Sequence, residues 1–255
     1  MTNIAFREKG KGFPLLLIHG FPMNQDVWST FTESLSQDCR VITIDLPGFG
    51  QSPILPGSFS IDQVADSVLS WLKEKNIQKT FIAGHSLGGY ITLAMLKKDP
   101  GRFPAAILLH STALPDSDEK KQSRNKALQF IEKNGVQAFT SNFIEPLFAN
   151  PKHPAVDAVR ALSILASKDS VAGYTKAMRD RPDRTDVLKT FPGKILLIGG
   201  EKDQGIPASS LEGFKNLNAS LQVEILPGVA HMGMFEASEN VLQKFRTFIK
   251  KNSVT

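Results

Sequence analysis

Short β-branched or leucine-rich runs recur along the chain, and each one stops at turn residues. Leu15–Ile18 stops at His19-Gly20, Val41–Ile44 at Asp45-Leu46-Pro47-Gly48, and Phe81–Ala83 at Gly84. Ala106–Leu109 stops at His110-Ser111, Ile195–Ile198 at Gly199-Gly200, and Leu221–Leu226 at Pro227-Gly228. Apolar runs without alternation predict strands buried on both faces, hence a parallel sheet covered by helices. Between them the period changes. Val64, Val68, Leu69 and Leu72 in Asp62–Leu72, and Val241, Leu242, Phe245 and Ile249 in Asn240–Ile249, recur at helical spacing. Strands alternating with helices predict a doubly wound α/β architecture.

One stretch breaks the rhythm. Residues 111–190 contain no buried-strand run, and only two of the 19 glycines, Gly135 and Gly173, fall there. Val136, Phe139, Phe143 and Leu147, then Val156, Val159 and Leu162, keep helical spacing. The segment is therefore expected to be an all-helical insertion, a cap or lid. Residues 1–110 and 191–255 then form the α/β core, which accounts for a 255-residue length lying between one domain and two.

Composition adds exclusions. At 41% hydrophobic and 22% charged, the chain is neither disordered nor collagen-like. The net charge of +5 is spread, with both signs interspersed in core and insertion, so it does not argue for nucleic acid. The single cysteine, Cys39, excludes an internal disulfide and multi-cysteine zinc sites; it is expected to pack near a strand start. No apolar run approaches the roughly 20 residues of a membrane span, and the N-terminal residues do not read as a secretory signal. A cytoplasmic protein with no membrane partner is the expectation. Nothing in the sequence marks an oligomeric state.

The chemistry centres on Gly84-His85-Ser86-Leu87-Gly88-Gly89, directly after one predicted strand and before a helical run from Tyr90 to Lys97. This is a G-x-S-x-G elbow in its strand–turn–helix context, which nominates Ser86 as nucleophile. A serine hydroxyl needs a base. Of five histidines, His19 and His85 sit in backbone turns, His110 ends a strand and His153 lies in the insertion; each reads as structural. His231 follows the last strand, where loops at strand C-termini converge on one crevice. The carboxylate that orients it is assigned to Asp203, in the glycine-bracketed loop after the penultimate strand, over Glu201, Asp116 and Asp45. Backbone N–H groups of Leu87 and Phe21 are expected to form the oxyanion hole. Substrate contacts are expected from Phe21, Phe143 and Phe148, with Phe139 and Leu147 near them. The run Arg179-Asp180-Arg181-Pro182-Asp183-Arg184 reads as a solvated, self-neutralising surface.

Taken together, His19-Gly20-Phe21-Pro22 with Trp28, Asp45-Leu46-Pro47-Gly48-Phe49-Gly50-Gln51-Ser52, the elbow, the Asp203 loop and the His231 loop resemble the α/β-hydrolase superfamily. The resemblance covers essentially the whole chain and is nearest to the small serine carboxylesterase and enol-lactonase-like branch; Ser86, Asp203 and His231 follow its Ser…Asp…His order. It implies an α/β-hydrolase fold with a mostly parallel sheet, a helical cap after the sixth strand, and a triad using no metal and no cofactor. The N-terminus departs from that pattern: only about one strand's worth of chain, Asn3–Arg7, precedes the strand leading to His19. Serine at the elbow disfavours dehalogenase and epoxide-hydrolase chemistry, where the family carries aspartate. No dinucleotide or P-loop glycine motif and no HExxH zinc motif occurs. The resulting expectation is hydrolysis of small carboxylic esters or lactones. Carbon–carbon hydrolysis, lyase, acyl-transfer and perhydrolase chemistries use the same triad and stay open, as does a ligand sensor retaining it.

Overall fold

The computed structural model describes residues 3–252; residues 1–2 and 253–255, at the two ends of the expected core, lie outside the described residues. Among the described residues seven strands form one sheet: β1 (Phe6–Lys9), β2 (Pro14–Ile18), β3 (Arg40–Ile44), β4 (Phe81–His85), β5 (Ala105–Leu109), β6 (Lys194–Gly200) and β7 (Leu221–Leu226). Their order is β1-β3-β2-β4-β5-β6-β7, parallel throughout except for β1, which pairs antiparallel with β3. This is the α/β-hydrolase architecture. All four residues of β1 are exposed, as suits a polar edge strand that blunts sheet-to-sheet pairing.

The apolar runs divide between two faces because strand side chains alternate. Leu16 and Ile18 of β2 join a core under α2 (Ile61–Glu74) and α3 (Leu87–Lys98). Leu15 and Leu17 join a second core under α1 (Ser29–Leu35) and α10 (Ser238–Asn252). Burial on both sides explains the absence of polar alternation. Helix α2 begins at a capping box, Ser60 accepting from the Gln63 N–H while the Gln63 side chain accepts from the Ser60 N–H. Its Val64, Val68, Trp71 and Leu72 face the sheet. Cys39 is buried and free, one residue before β3.

Between β5 and β6 the chain forms α4 (Asp118–Phe143), interrupted at Gly135, then α5 (Ala155–Ser163), α6 (Lys168–Arg179) and α7 (Thr185–Thr190). Among the described residues the insertion therefore follows the fifth strand and not the sixth. Short helices α8 (Ala208–Glu212) and α9 (Gly233–Glu236) complete the core. Among the described residues no helix is long and apolar enough to cross a membrane.

The arginine-rich run at the end of α6 is only partly a solvated surface. Arg179 pairs with Asp180 at the surface, but Arg181 is buried, bonded to Asp116 and stacked 4.0 Å over the Tyr90 ring. Buried Asp116 needs a cation, and the stripe of charge in the sequence carried no sign of that partner. Arg184, bonded to Asp62 of α2, ties the insertion to the core.

Candidate active site

The chain passes from β2 outward to β3, then back across to β4 on the other side of β2. Loops after β2 and β4 leave the sheet at this switch point, where open α/β sheets form their crevice. They carry Phe21 and Ser86.

Ser86 follows β4 with φ 50° and ψ −113°, a conformation costing a non-glycine residue about 1–3 kcal/mol. Its surroundings hold it there. The Ser86 N–H donates to Leu109 O (2.9 Å), and Ser86 O accepts from the Gly89 N–H (2.9 Å) and Ser111 Oγ (2.8 Å). Glycine on either side is a packing requirement: a Cβ on Gly84 would stand 2.3 Å from the Gly88 backbone, and one on Gly88 2.4 Å from Ile18 O. From Phe81 to Tyr90 every residue is buried but Ser86, which faces a cavity. Leu87 opens α3, so its N–H has no intrahelical acceptor.

Asp203 and His231 arrive from the loops after β6 and β7. His231 Nδ1 lies 2.7 Å from Asp203 Oδ2, while Asp203 Oδ1 accepts the N–H groups of Gly205 and Ile206, both at 2.9 Å. Burial alone would raise the Asp203 pKa; the adjoining His231 and His110 outweigh it and hold the carboxyl well below its ordinary range. The rival carboxylates are engaged elsewhere. Glu201 accepts from the Gly228 N–H, Asp116 binds Arg124 and Arg181, and Asp45 accepts from Gln25 and the Gln51 N–H. His231 and Ser86 line the same cavity.

The sequence scatters its histidines, but the fold gathers three. His85 Nε2 is 3.0 Å from His231 O, and His110 Nδ1 lies 3.3 Å from Asp203 Oδ2, an electrostatic contact without hydrogen-bond alignment. His110, Asp203 and His231 each bring one potential ligand atom within 4.8 Å of the others, making them the metal-capable grouping among the described residues. The facing atoms of Asp203 and His231 already bond each other. His19 and His153 are structural: His19 Nε2 accepts from the Leu46 N–H, and His153 Nδ1 from the Ala155 N–H.

Burial lowers the pKa of His19 to about 4, and lowers those of His85 and His110. Below the ordinary value of 6.5 the unfolded chain binds protons at these positions that the folded chain does not. Stability is therefore full above pH 6.5 and falls as pH drops, by about 1.4 kcal/mol per pH unit for each histidine until its folded pKa is reached. Asp203 adds a loss of the same sign below its ordinary 3.8. Thermal melts are expected to show Tm decreasing steadily from pH 7 to pH 5; a flat profile would contradict neutral burial of these rings.

The cavity measures about 300 Å³, the lower end of the usual range for small-molecule sites. Core residues Phe21 and Tyr90 line it together with Phe139, Phe143, Leu147 and Met178 from the insertion. Phe21 packs edge-on against Phe143 with centroids 5.7 Å apart. Phe148 corrects the expectation. After α4 a short helical turn, Glu145–Leu147, aims Leu147 into the cavity, while buried Phe148 stacks on His153 at 5.3 Å and packs near Phe235. Sequence reasoning also missed Lys120, Ser123 and Arg124 of α4, which line the cavity as well.

The sequence profile of the alpha/beta hydrolase fold family matches residues 14–187. The chain belongs to the alpha/beta hydrolase family. Over 98% of its length this alpha/beta hydrolase superposes on 94% of a thermophilic esterase from Thermogutta terrifontis, solved with malate bound, with TM-score 0.92 and 29% identity. The enol-lactonase from Burkholderia xenovorans LB400 shares the fold at TM-score 0.89 and 18% identity, covering 97% of this chain and 96% of that one. In sequence, 94% of the chain is 29% identical to the dihydrolipoyllysine-residue acetyltransferase component of the acetoin cleaving system of Pseudomonas putida. The match spans 64% of that relative's length.

Proposed function

We propose that this alpha/beta hydrolase is a serine esterase that cleaves small carboxylic esters or lactones through an acyl-enzyme on Ser86, with His231 as base and Asp203 as its orienting carboxylate. The observation carrying the reading is the 2.7 Å contact between His231 Nδ1 and Asp203 Oδ2 at the rim of a cavity that Ser86 also lines. An ionised carboxylate only accepts, so Nδ1 holds the ring's proton and Nε2 is free to take another. In this reading Ser86 Oγ attacks the carbonyl carbon as its proton passes to His231 Nε2. The oxyanion receives the N–H groups of Leu87 and Phe21. Collapse breaks the C–O bond, and His231 returns the proton to the departing alkoxide. Water then attacks the acyl carbon by the same relay, releasing the acid and restoring Ser86. Losing one oxyanion donor costs about 2.7–4 kcal/mol in a well-formed site.

Residues 111–190 serve in this reading as the lid, with residues 1–110 and 191–255 as the catalytic core. Apolar walls from Phe143 and Leu147 favour small organic acyl or alcohol groups. The activity of the T. terrifontis relative supports an ester as substrate. An acceptor other than water would turn the same intermediate toward acyl transfer, the activity named for the P. putida relative.

Incubation with a fluorophosphonate followed by peptide mass spectrometry tests the proposal. One adduct is expected, on Ser86, with parallel loss of p-nitrophenyl butyrate turnover. An unlabelled Ser86 together with no ester turnover would leave a binding protein that retains the fold.

A further inference from the structure

The cavity carries charge for which ester hydrolysis itself has no use. Lys120 and Arg124 lie four residues apart on α4, one helical turn, and both line the cavity, whereas among the described residues no lining side chain is acidic. The Lys120 ammonium has three N–H donors, and its one hydrogen-bond acceptor among the described residues is Gly205 O, at 2.6 Å. Gly205 adjoins the candidate triad, its N–H donating to Asp203 Oδ1.

The nearby acids are already committed. Asp116 is shared by Arg124, through its Nε, and by Arg181. Asp203 is taken by His231 and two backbone N–H groups. Lys120, Arg124 and Arg181 against the carboxylates of Asp116 and Asp203 leave an excess of one positive charge at this end of the cavity. Burial lowers the Lys120 pKa, so its charged form carries a desolvation cost that an arriving anion would offset. The remaining wall is apolar. A ligand with a short carbon chain and one anionic end matches both parts.

We propose that Lys120, with Arg124 beside it, forms a carboxylate subsite, so that the preferred substrates are esters bearing a free carboxylate on the acyl or the alcohol part. This rests on the esterase reading for turnover but not for binding. A stapling role, in which Lys120 only fastens the insertion to the Asp203 loop through Gly205 O, is the structural alternative. Glutamine still offers an N–H donor for a staple but no charge, so Lys120→Gln separates the two.

Two matched pairs distinguish the acyl from the alcohol side: monomethyl adipate against methyl hexanoate, and 4-acetoxybenzoate against phenyl acetate. In the wild type, kcat/KM for the anionic member of at least one pair is expected to exceed its neutral partner by about tenfold or more. That ratio is expected to approach one in Lys120→Gln and to be largely kept in Lys120→Arg. Equal ratios in wild type and Lys120→Gln, or a wild-type preference for both neutral esters, overturn the subsite. Should Lys120→Gln not fold, the wild-type ratio itself decides: it is expected to fall from about 0.01 M to about 1 M salt, and constancy overturns the proposal. Calorimetric titration of Ser86→Ala with monomethyl and dimethyl adipate reads binding without turnover. Tighter binding of the anion supports the subsite even if no ester is hydrolysed, and equal affinities reject it even if esters are.

Discussion

Replacing Ser86 with alanine is expected to lower kcat by roughly 10⁴–10⁶ while leaving the fold intact. The separation follows from which atoms hold the elbow. Ser86 is fixed by its main chain, through Leu109 O, the Gly89 N–H and the Ser111 hydroxyl, and the alanine variant keeps all three contacts. The Ser86 Oγ makes no hydrogen bond within the protein among the described residues, so the variant strands no buried partner. A cost within about 0.5 kcal/mol is expected, as for a surface change. Alanine tolerates φ 50° no worse than serine, since both carry a Cβ. Residual catalysis should come from the Leu87 and Phe21 donors and from binding in the cavity, which remain. Turnover of p-nitrophenyl butyrate beside a thermal melt checks both halves. Unchanged Tm with near-normal turnover would move the nucleophile away from Ser86.

The sheet and the elbow were legible because their residues answer to one strong constraint each. Strands β2 to β6 are buried on both faces, and only near-continuous apolar runs satisfy that. Gly84 and Gly88 are forced by backbone within 2.4 Å of any added Cβ, so the motif survives as a pattern of small residues around Ser86. Edge strand β1 was harder to read: Phe6, Arg7, Glu8 and Lys9 are all exposed and leave no hydrophobic signature.

The insertion was legible as helices but not as a wall. An amphipathic helix shows the same spacing whether its apolar side packs on a neighbour or roofs a cavity, so Phe143 and Phe148 looked equivalent. One short turn after α4 decided between them. Lys120 and Arg124 were invisible for the converse reason: a lysine one turn from an arginine reads as solvent-facing until Gly205, 85 residues on, folds back against it. The same long-range closure hid Arg181, and it assembled His85 from the end of β4, His110 from just after β5 and His231 from the loop after β7.

Asp203→Asn is expected to cost roughly 10⁴ in kcat with KM little changed, through the histidine tautomer. The carboxylate serves on both edges. Oδ1 accepts two backbone N–H groups, from Gly205 and Ile206, and Oδ2 faces His231 Nδ1. An asparagine has one acceptor oxygen and one donor NH₂, and two orientations. With its NH₂ toward Gly205 and Ile206, three donors confront one another in a buried loop. With its oxygen there, the NH₂ points at His231 Nδ1 and must be accepted, so the ring's proton moves to Nε2. The second arrangement loses fewer hydrogen bonds and is the expected one. It leaves Nε2 as a donor, unable to take the Ser86 proton, while substrate binding in the cavity is untouched. Single-turnover acylation should fall with kcat, and fluorophosphonate labelling of Ser86 should slow in parallel. The variant should also lose the part of the acid sensitivity that Asp203 supplies below pH 3.8, keeping the histidine-linked part. A loss of less than tenfold would mean that His231 is oriented by another group; the contacts of Glu201 with Gly228 and of Asp116 with its arginines leave neither free to do so without rearrangement.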